Sequence, residues 1–140
     1  PLEFYPVDLF DKVMKVNVNA QFLLVRHLMP LLRQSDQGSI IFTTSSVGRN
    51  GRANWGAYAV SKFAIEGMMQ TLADDIGNTS NIKVNCINPG ATRTRMRASA
   101  YPAEDPANLC PPEAILGLYY YLMGPDSAGV TGQSLDAQPT

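Results

Sequence analysis

The segment "GSIIFTTSS", Gly38 to Ser46, decides how the fold is interpreted. Its β-branched and aromatic residues, from Gly38 to Ser45, lack the polar alternation of a strand that has one face in water. A short run of this kind predicts a strand that is covered on both faces, as in a parallel sheet. We therefore expect helices to precede and follow this strand.

The segment that follows predicts a helix and then a second strand. In "WGAYAVSKFAIEG" and the residues after it, counting about 100° per residue brings every third or fourth side chain back to one direction. This inward stripe consists of Tyr58, Lys62, Ile65, Met69, Leu72 and Ile76. Gly77 and the small polar residues after it predict the end of the helix. The next segment, "IKVNCIN", Ile82 to Asn88, predicts a short strand.

The flanking segments continue the alternation of helix and strand. Residues 7–35 predict a long helix with Asp8 as its N-cap and an interruption or kink near Pro30. Beyond the second strand, Pro112 to Met123 predicts an amphipathic helix, and Ser134 to Asp136 a third strand. This order indicates an α/β fold with an open, mostly parallel sheet.

The composition is that of an ordinary globular chain of about one domain. Of the 140 residues, 45% are hydrophobic and 16% are charged, and the formal net charge is -1. Nothing longer than the interrupted "RTRMR", Arg93 to Arg97, concentrates basic charge, which argues against nucleic acid or an anionic membrane as partner. The most apolar segment, residues 13–32, contains polar and charged side chains unsuited to a bilayer span, and we expect a cytoplasmic protein.

The cysteines and the histidine give no sign of a metal site. Cys86 and Cys110 form no CxxC pair, and Cys86 lies within the second predicted strand, where a buried reduced thiol is expected. His27 is the single histidine and has no neighbours at metal-ligand spacing. We predict no metal.

Ligands of open α/β sheets bind beyond the carboxyl ends of the strands. The first strand is followed there by Ser45 and its neighbours, and the second by Pro89 and Gly90. Tyr58 and Lys62 open the helix between these strands, at the same edge. Spacing alone leaves a second interpretation open, in which the tyrosine and the lysine are ordinary members of the core stripe.

Four positions together resemble one known family. Ser45 precedes Tyr58 by thirteen residues, Tyr58 and Lys62 form a Y-x-x-x-K pair, and "NPGATRT" follows the second strand. Asn17, in "KVNVNAQF", precedes Ser45 by twenty-eight residues. These residues resemble the catalytic half of the short-chain dehydrogenase/reductases, in particular a little-characterised bacterial subgroup. The resemblance implies a Rossmann-like three-layer α/β/α fold, with residues 1–140 as the C-terminal, catalytic part of a single domain that here lacks the N-terminal strands.

The family chemistry is hydride transfer between a nicotinamide cofactor and a carbonyl or secondary alcohol. The resemblance implies that Tyr58 is the general acid and base, and that Lys62 favours its phenolate and hydrogen-bonds the cofactor ribose. Ser45 would orient the substrate oxygen, with Ser46 as the alternative. Asn17 would interrupt its helix and hold a water that relays protons to Lys62; a polar residue that satisfies local backbone is the other interpretation.

The resemblance also assigns the cofactor side of the site. It implies NADP(H) or NAD(H), with NADP(H) favoured, bound by residues of the helix and of the loop after the second strand: Tyr58, Lys62, Pro89, Gly90, Thr92 and Thr94. Arg93, Arg95 and Arg97 would meet an anionic group or stay solvated. Trp55 would line the substrate cleft or belong to the core.

Other family features are absent from this sequence. It has no glycine-rich T-G-x-x-x-G-x-G turn, whose helix N-terminus receives the pyrophosphate, so we expect weak dinucleotide binding by residues 1–140 alone. A catalytically silent Rossmann fragment or assembly module stays open as the alternative function. The family also implies a homodimer or homotetramer through the preceding long helix and the outward side of the tyrosine helix, at Val60, Phe63, Ala64, Gly67 and Met68.

Overall fold

The computed structural model describes residues 1–139, which form a three-layer α/β/α fold around a parallel sheet. The strands are β1 (Ser39–Thr43), β2 (Lys83–Asn88) and β3 (Ser134–Asp136), and they lie side by side in the order β1-β2-β3. Ile41 of β1 pairs with Asn85 of β2, and Ile87 of β2 pairs with Leu135 of β3, all strands running parallel. This architecture confirms the predicted fold class.

Residues 1–139 form five α-helices in addition to the sheet. They are α1 (Val7–Met14), α2 (Ala20–Leu32), α3 (Gly56–Gly77), α4 (Arg95–Ala100) and α5 (Leu116–Met123). Every residue of β2 is buried, as the continuous apolar pattern predicts for a strand with helices on both faces. The predicted strands are shortened at their ends: β1 stops at Thr43, and β2 starts at Lys83 rather than Ile82.

The main core lies between the sheet and α3. Alternate residues of β1 and β2 point to this side, where they meet the inward stripe of α3 and the inner face of α2. The buried members are Phe42, Ile65, Met69, Ala73, Ile76, Ile82, Val84 and Cys86. Burying each large apolar side chain contributes about 1.5–3 kcal/mol, so this cluster fixes the position of α3 on the sheet.

The opposite face of the sheet carries α5, which is joined to it by polar contacts. Ser39 Oγ donates to Leu122 O at 2.9 Å. The buried Lys83 extends its Nζ to Gly124 O, just after α5, and to Ser127 Oγ, each at 2.7 Å. Because the lysine satisfies the carboxyl end of α5, it takes a structural role at the edge of the sheet away from the candidate site.

The long N-terminal helix differs from its prediction in two respects. Pro6 precedes the first residue of α1 and no side chain caps it, so Asp8 lies within the first turn and the N-cap prediction was wrong. Pro30 lies inside α2, which continues to Leu32. The interruption falls at Lys15–Asn19, where one π-helical turn separates α1 from α2.

The segment between β2 and α5 contains a helix that the sequence did not predict. Thr94 caps α4 by accepting a hydrogen bond from Arg97 N at 3.2 Å. Further on, Pro112–Ile115 form a 3₁₀ turn ahead of α5, in place of the predicted continuous helix.

Among the described residues, no helix combines the length and apolarity of a membrane span. The cytoplasmic location stays a prediction.

Candidate active site

The three strands end together at one edge of the sheet, and the predicted site residues gather there. The last residues of the strands are Thr43, Asn88 and Asp136, and each is followed by an irregular segment. Tyr58 lies in the first turn of α3, which begins at Gly56. Parallel strands force these segments to one side, so a ligand at this edge would meet residues from all of them.

Tyr58 and Lys62 are held as a pair at the start of α3. The Nζ atom of Lys62 lies 5.5 Å from the centroid of the Tyr58 ring and donates to Thr43 O at 2.8 Å. Both side chains are half-buried, whereas Ile65 and Met69 further along the stripe are fully buried. The stripe therefore begins with polar groups at the sheet edge and continues as core.

Burial changes the acid–base chemistry of this lysine. Desolvation lowers the pKa of Lys62 from its ordinary value, because an ammonium loses hydration when it is buried. The carbonyl of Thr43 faces the outer edge of β1, since Thr44 N already pairs with Ile87 O of β2. Lys62 is thus tied to the end of β1 by a single neutral acceptor.

Asn17 lies in the π-helical turn and reaches α3. Its Nδ2 donates to Ser61 Oγ at 3.1 Å, and that hydroxyl donates to Tyr58 O at 2.8 Å. A cavity of about 130 Å³ separates Asn17 from Lys62 and is lined also by Gln21. A polar cavity of this size has room for water. The side chain makes a tertiary contact rather than satisfying only its own helix.

Ser45 is the second residue after β1 and lies at the start of a tight turn. Its backbone is extended and half-buried, and its carbonyl accepts from Gly48 N at 2.8 Å. Ser46 is exposed on the turn. The preceding Thr44 is buried, and its Oγ1 has no hydrogen-bond partner within residues 1–139.

The loop after β2 holds the remaining predicted residues in different environments. Gly90 has φ +74°, a conformation that glycine adopts without strain, and its N donates to Asn88 Oδ1 at 3.2 Å. Thr92 is buried, with its hydroxyl 3.2 Å from Gly90 O, and its backbone bridges Cys110. Thr94 is exposed as the cap of α4.

Gln138 supports this loop, and sequence reasoning missed it. Its Nε2 donates to Pro89 O at 2.8 Å and to Ala91 O at 3.0 Å. A side chain on Gly90 would meet the Gln138 amide at 3.0 Å. The two segments are far apart in sequence, and a lone amide after a short strand carries no local signal.

One of the three loop arginines is fully engaged within the chain. Arg97 forms a two-point ion pair with Glu104, both bonds 2.6 Å, and stacks 3.8 Å from the ring of Tyr101. The hydrogen bonds with Glu104 raise the pKa of Arg97 and lower that of the carboxyl group. Arg93 and Arg95 are exposed.

Trp55 connects this segment to the tyrosine. Its ring lies 5.6 Å from that of Tyr58 and 6.2 Å from that of Tyr101, both in tilted geometry. The indole is half-buried, so it lies between the start of α3 and the segment that follows α4. Such aromatic pairs contribute about 0.5–1.5 kcal/mol beyond their buried area.

A second feature that the sequence did not reveal is a polar cluster beneath the site. Arg49, just after the Ser45 turn, contacts Glu66 of α3 and Asp136 of β3. The only local signal was Glu66 itself, a carboxylate one helical turn after Lys62 and almost wholly buried. Across residues 1–139 there is no group of three or more His, Cys, Asp or Glu side chains arranged to hold a metal ion.

Residues 1–105 match the sequence profile of the protein family described as short chain dehydrogenase. The uncharacterized oxidoreductase YciK of Escherichia coli K12 is 58% identical over 139 residues, covering 99% of this chain and 54% of that protein. The chain thus spans about half the length of the curated relatives it matches.

Solved structures show the same fold. A chain from Pseudomonas syringae, described as a short chain dehydrogenase, is 62% identical with a TM-score of 0.96, covering 99% of this chain and 56% of that one. A short chain dehydrogenase from Shigella flexneri, complexed with NADP, is 57% identical with a TM-score of 0.95, covering 99% and 57% of the two chains.

Proposed function

The chain belongs to the short-chain dehydrogenase family, and on that premise we propose that it supplies the catalytic part of an NAD(P)-dependent oxidoreductase. The reaction is hydride transfer between the cofactor and a carbonyl or secondary alcohol. The observation that carries the proposal is the Lys62 ammonium, held 5.5 Å from the ring of Tyr58 at the carboxyl edge of the sheet. A helix stripe that only packs against the core needs neither an ammonium nor a phenol at this edge.

In the reducing direction Tyr58 is the proton donor. As the carbonyl carbon gains a hydride, negative charge develops on its oxygen, and the phenol delivers a proton to that oxygen. The Lys62 ammonium stabilises the charge that remains on the tyrosine oxygen. Ser45 donates to the substrate oxygen and holds it in place, a role supported by its position two residues beyond the end of β1.

Asn17 links the pair to solvent. The cavity of about 130 Å³ between Asn17 and Lys62 holds water that returns a proton to the site after each turnover. The bond from Asn17 to Ser61, and from Ser61 to Tyr58 O, supports this role because it fixes the π-helical turn against α3. The lowered pKa of Lys62 favours proton exchange with such water.

The residues present fit the nicotinamide end of a dinucleotide. The positive φ of Gly90 sets the course of the loop against Gln138, and the exposed Thr94 hydroxyl retains a hydrogen to donate. Lys62 would hold the ribose, and Pro89 and Thr92 would shape the loop. When bound, the cofactor supplies the hydride. We favour NADP(H), because a relative with 57% identity has been solved complexed with NADP.

A carbonyl screen tests the proposed function. The complete protein, meaning this chain with any residues that flank it, is incubated with NADPH and a panel of aldehydes, ketones and dicarbonyls. Tyr58→Phe should lower turnover by roughly 10² to 10⁴ without loss of folding, because it removes one oxygen and little volume. Tyr120→Phe, a change at an exposed tyrosine of α5, is the matched control and should keep full activity.

Two results would contradict the proposal. Turnover of Tyr58→Phe within a few-fold of the parent, under conditions where chemistry limits the rate, would remove the tyrosine from the reaction. Absence of turnover across the panel, with folded protein, would favour the catalytically silent module.

Lys62→Ala should impair both cofactor binding and turnover, because the lysine is assigned to both.

We also propose that residues 1–140 alone bind a dinucleotide weakly. The described residues hold the nicotinamide end, but they include no glycine-rich turn to receive the pyrophosphate. Isothermal titration of NADPH into this chain should show no binding at micromolar concentration. Low-micromolar affinity would overturn this expectation and would place the phosphates on other groups of the chain.

The assembly we propose is a homodimer or homotetramer. Val60 and Phe63 of α3 are 36% and 46% exposed, and α2 exposes Phe22 and Leu28 in the same way. Apolar side chains on outward helix faces are the surface expected of a subunit contact. Light scattering of the complete protein should give a dimer or tetramer, and a monomer at micromolar concentration would contradict it.

A further inference from the structure

Five polar side chains from four segments meet beneath the candidate site, and we call them the Arg49 cluster. Arg49 Nη1 lies 2.9 Å from Asp136 Oδ1 and 3.0 Å from Oδ2, and Arg49 Nε donates to Ser134 Oγ at 3.0 Å. Ser134 Oγ in turn donates to Glu66 Oε1 at 2.7 Å, and Asn88 Nδ2 donates to Asp136 Oδ1 at 2.7 Å. The guanidinium is the hub of this cluster.

The burial of the cluster makes its geometry restrictive. Glu66 is 6% exposed and Asn88 is 9% exposed, so both depend on partners inside the protein. Arg49 Nε lies 3.5 Å from Glu66 Oε1 and provides the cation that this buried carboxylate needs. The guanidinium uses two nitrogens on two sides, Nη1 toward Asp136 and Nε toward Ser134 and Glu66, and this planar spread fixes a direction that the single nitrogen of a lysine does not.

Arg49 is joined to Ser45 by a rigid turn. Gly48 N donates to Ser45 O at 2.8 Å, and Arg49 N donates to Ser46 O at 3.2 Å. The turn lies directly on the catalytic helix: a Cβ on Gly48 would meet the Lys62 backbone at 2.9 Å. Ser45 therefore cannot shift along α3 while Arg49 holds Glu66, one helical turn beyond Lys62.

We propose that Arg49 is a positioning residue that sets Ser45 in register with Tyr58 and Lys62, through its contacts with Glu66 and Asp136. The proposal rests on the proposed function, since it assigns Arg49 a role in that reaction. The cluster joins the serine turn, the tyrosine helix and the end of the sheet. Cofactor binding depends less on Arg49, because the hydrogen bonds that hold the loop after β2, from Gly90 N to Asn88 Oδ1 and from Gln138 Nε2 to Pro89 O, do not involve it.

A double-mutant cycle separates positioning from general support. Arg49→Met, Ser45→Ala and the double variant of the complete protein are assayed with NADPH and phenanthrenequinone, or another carbonyl that the parent reduces. A displacement near 1 Å at a reacting group costs up to about 10²-fold, so Arg49→Met should lower kcat by roughly 10- to 10²-fold, with NADPH affinity within about threefold. In the Ser45→Ala background, the same change should cost less than about threefold.

Two further variants keep the experiment decisive. Arg52→Met alters an exposed arginine of the same loop and should leave kcat unchanged. Arg49→Lys retains a cation for Glu66 but loses the planar guanidinium. It can therefore be assayed in place of Arg49→Met if that variant does not fold. It should show an intermediate loss of kcat, and again little further loss once Ser45 is alanine.

Each outcome decides one of the two hypotheses. Equal fold losses from the Arg49 variants in both backgrounds would assign Arg49 general structural support and overturn the positioning role. Full activity of both Arg49 variants, with Ser45→Ala impaired, would overturn it while leaving the proposed function intact. If the parent reduces no carbonyl, or if Ser45→Ala and Tyr58→Phe are fully active, the proposed function fails and the positioning role fails with it.

Discussion

The two halves of α3 cover the same sheet with different chemistry. In the carboxyl-terminal half, Met69, Ala73 and Ile76 are buried in the apolar core. In the amino-terminal half, Lys62 donates to Thr43 O at the end of β1, and Glu66 contacts Ser134 of β3 and Arg49 of the loop after β1. The helical period is the same in both halves, so the stripe alone does not distinguish the part that packs in the core from the part assigned to the proposed reaction.

This difference follows from where the helix meets the edge of the sheet. The core half packs against the apolar side chains of β1 and β2 in the buried cluster. The polar half extends beyond the strand ends, where carbonyl groups and loop residues become partners. Changes in the core half should therefore alter stability, whereas changes in the polar half should alter turnover.

The largest effect on stability is expected from Met69→Ala. Met69 is 1% exposed, and truncating a fully buried methionine removes apolar contacts and leaves a cavity, at a cost of about 2–5 kcal/mol in the free energy of unfolding. Denaturant unfolding of the complete protein measures this loss. Thr71→Ala, a change at an exposed position of the same helix, is the control and should cost almost nothing.

The turnover of folded Met69→Ala completes this test of the comparison. It should remain within a few-fold of the parent, since no group of the polar half changes. A protein that stays fully stable would show that the core half does not hold α3 in place. A large loss of turnover in well-folded protein would show that the two halves are coupled.

The next effect separates the two serines that follow β1. Ser45→Ala should lower kcat by roughly 10² to 10³, the cost of losing one donor to a developing negative charge. Ser46→Ala should stay within a few-fold of the parent, because Ser46 is exposed on the turn. Steady-state kinetics of both variants, with unfolding midpoints as the control for folding, decide the assignment. The reverse order of effects would transfer the catalytic role to Ser46.

The periodic elements of this fold were predictable from sequence. β1, α3 and β2 are recognised because each carries an apolar pattern with its own period, which is buried throughout β2, along one stripe of α3 and only partly in β1. Tyr58 and Lys62 were found because their spacing is local and lies within one helix. The cofactor and catalytic roles came from the family resemblance, since periodicity is compatible with both the packing and the catalytic interpretation.

The remaining features depend on contacts between distant segments. Arg49 meets Asp136 across 87 positions of sequence, so no window of residues contains the pair. The π-helical turn at Lys15–Asn19 is a shift in hydrogen-bond register whose Asn17 contacts α3, forty-four positions from its partner. The short α4 has no apolar stripe, and it depends on the Thr94 cap.

A smaller effect is expected where the serine turn touches the polar half of α3. Gly48→Ala places a Cβ 2.9 Å from three backbone and side-chain atoms of Lys62, so the turn must move. Overpacking of this kind costs about 1–3 kcal/mol in the free energy of unfolding. Gly51→Ala is the matched control, since nothing lies within 4 Å of a Cβ there.

Kinetics sharpen the Gly48 result. If the turn positions Ser45, Gly48→Ala should lower kcat more than the change in stability accounts for, whereas Gly51→Ala should leave kcat unchanged. Equal behaviour of the two variants in both assays would show that the turn adapts freely to α3. It would also show that the position of Ser45 does not depend on the contact between the turn and the helix.

The smallest effect at neutral pH is expected from Cys86, which lies under the core half of α3. Burial raises the pKa of the Cys86 thiol from 9.0 to about 12, with the nearby Glu66 carboxylate as a further cause. A raised pKa means that folding favours the protonated thiol. This contribution is therefore fully present below pH 9 and is lost as the pH rises from 9 toward 12.

Two measurements test this behaviour against the polar half. The free energy of unfolding should fall between pH 8 and pH 10 by more in the parent than in Cys86→Ala, whereas Cys110→Ala should follow the parent. Alkylation at pH 8 should modify the half-buried Cys110 and leave Cys86 intact until denaturant is added. Burial lowers the pKa of Lys62, so folding favours its neutral amine. The contribution of Lys62 to the free energy of unfolding therefore increases as the pH rises toward 10.5, whereas that of Cys86 decreases. Rapid alkylation of Cys86 in folded protein would show that the core under α3 opens without denaturant.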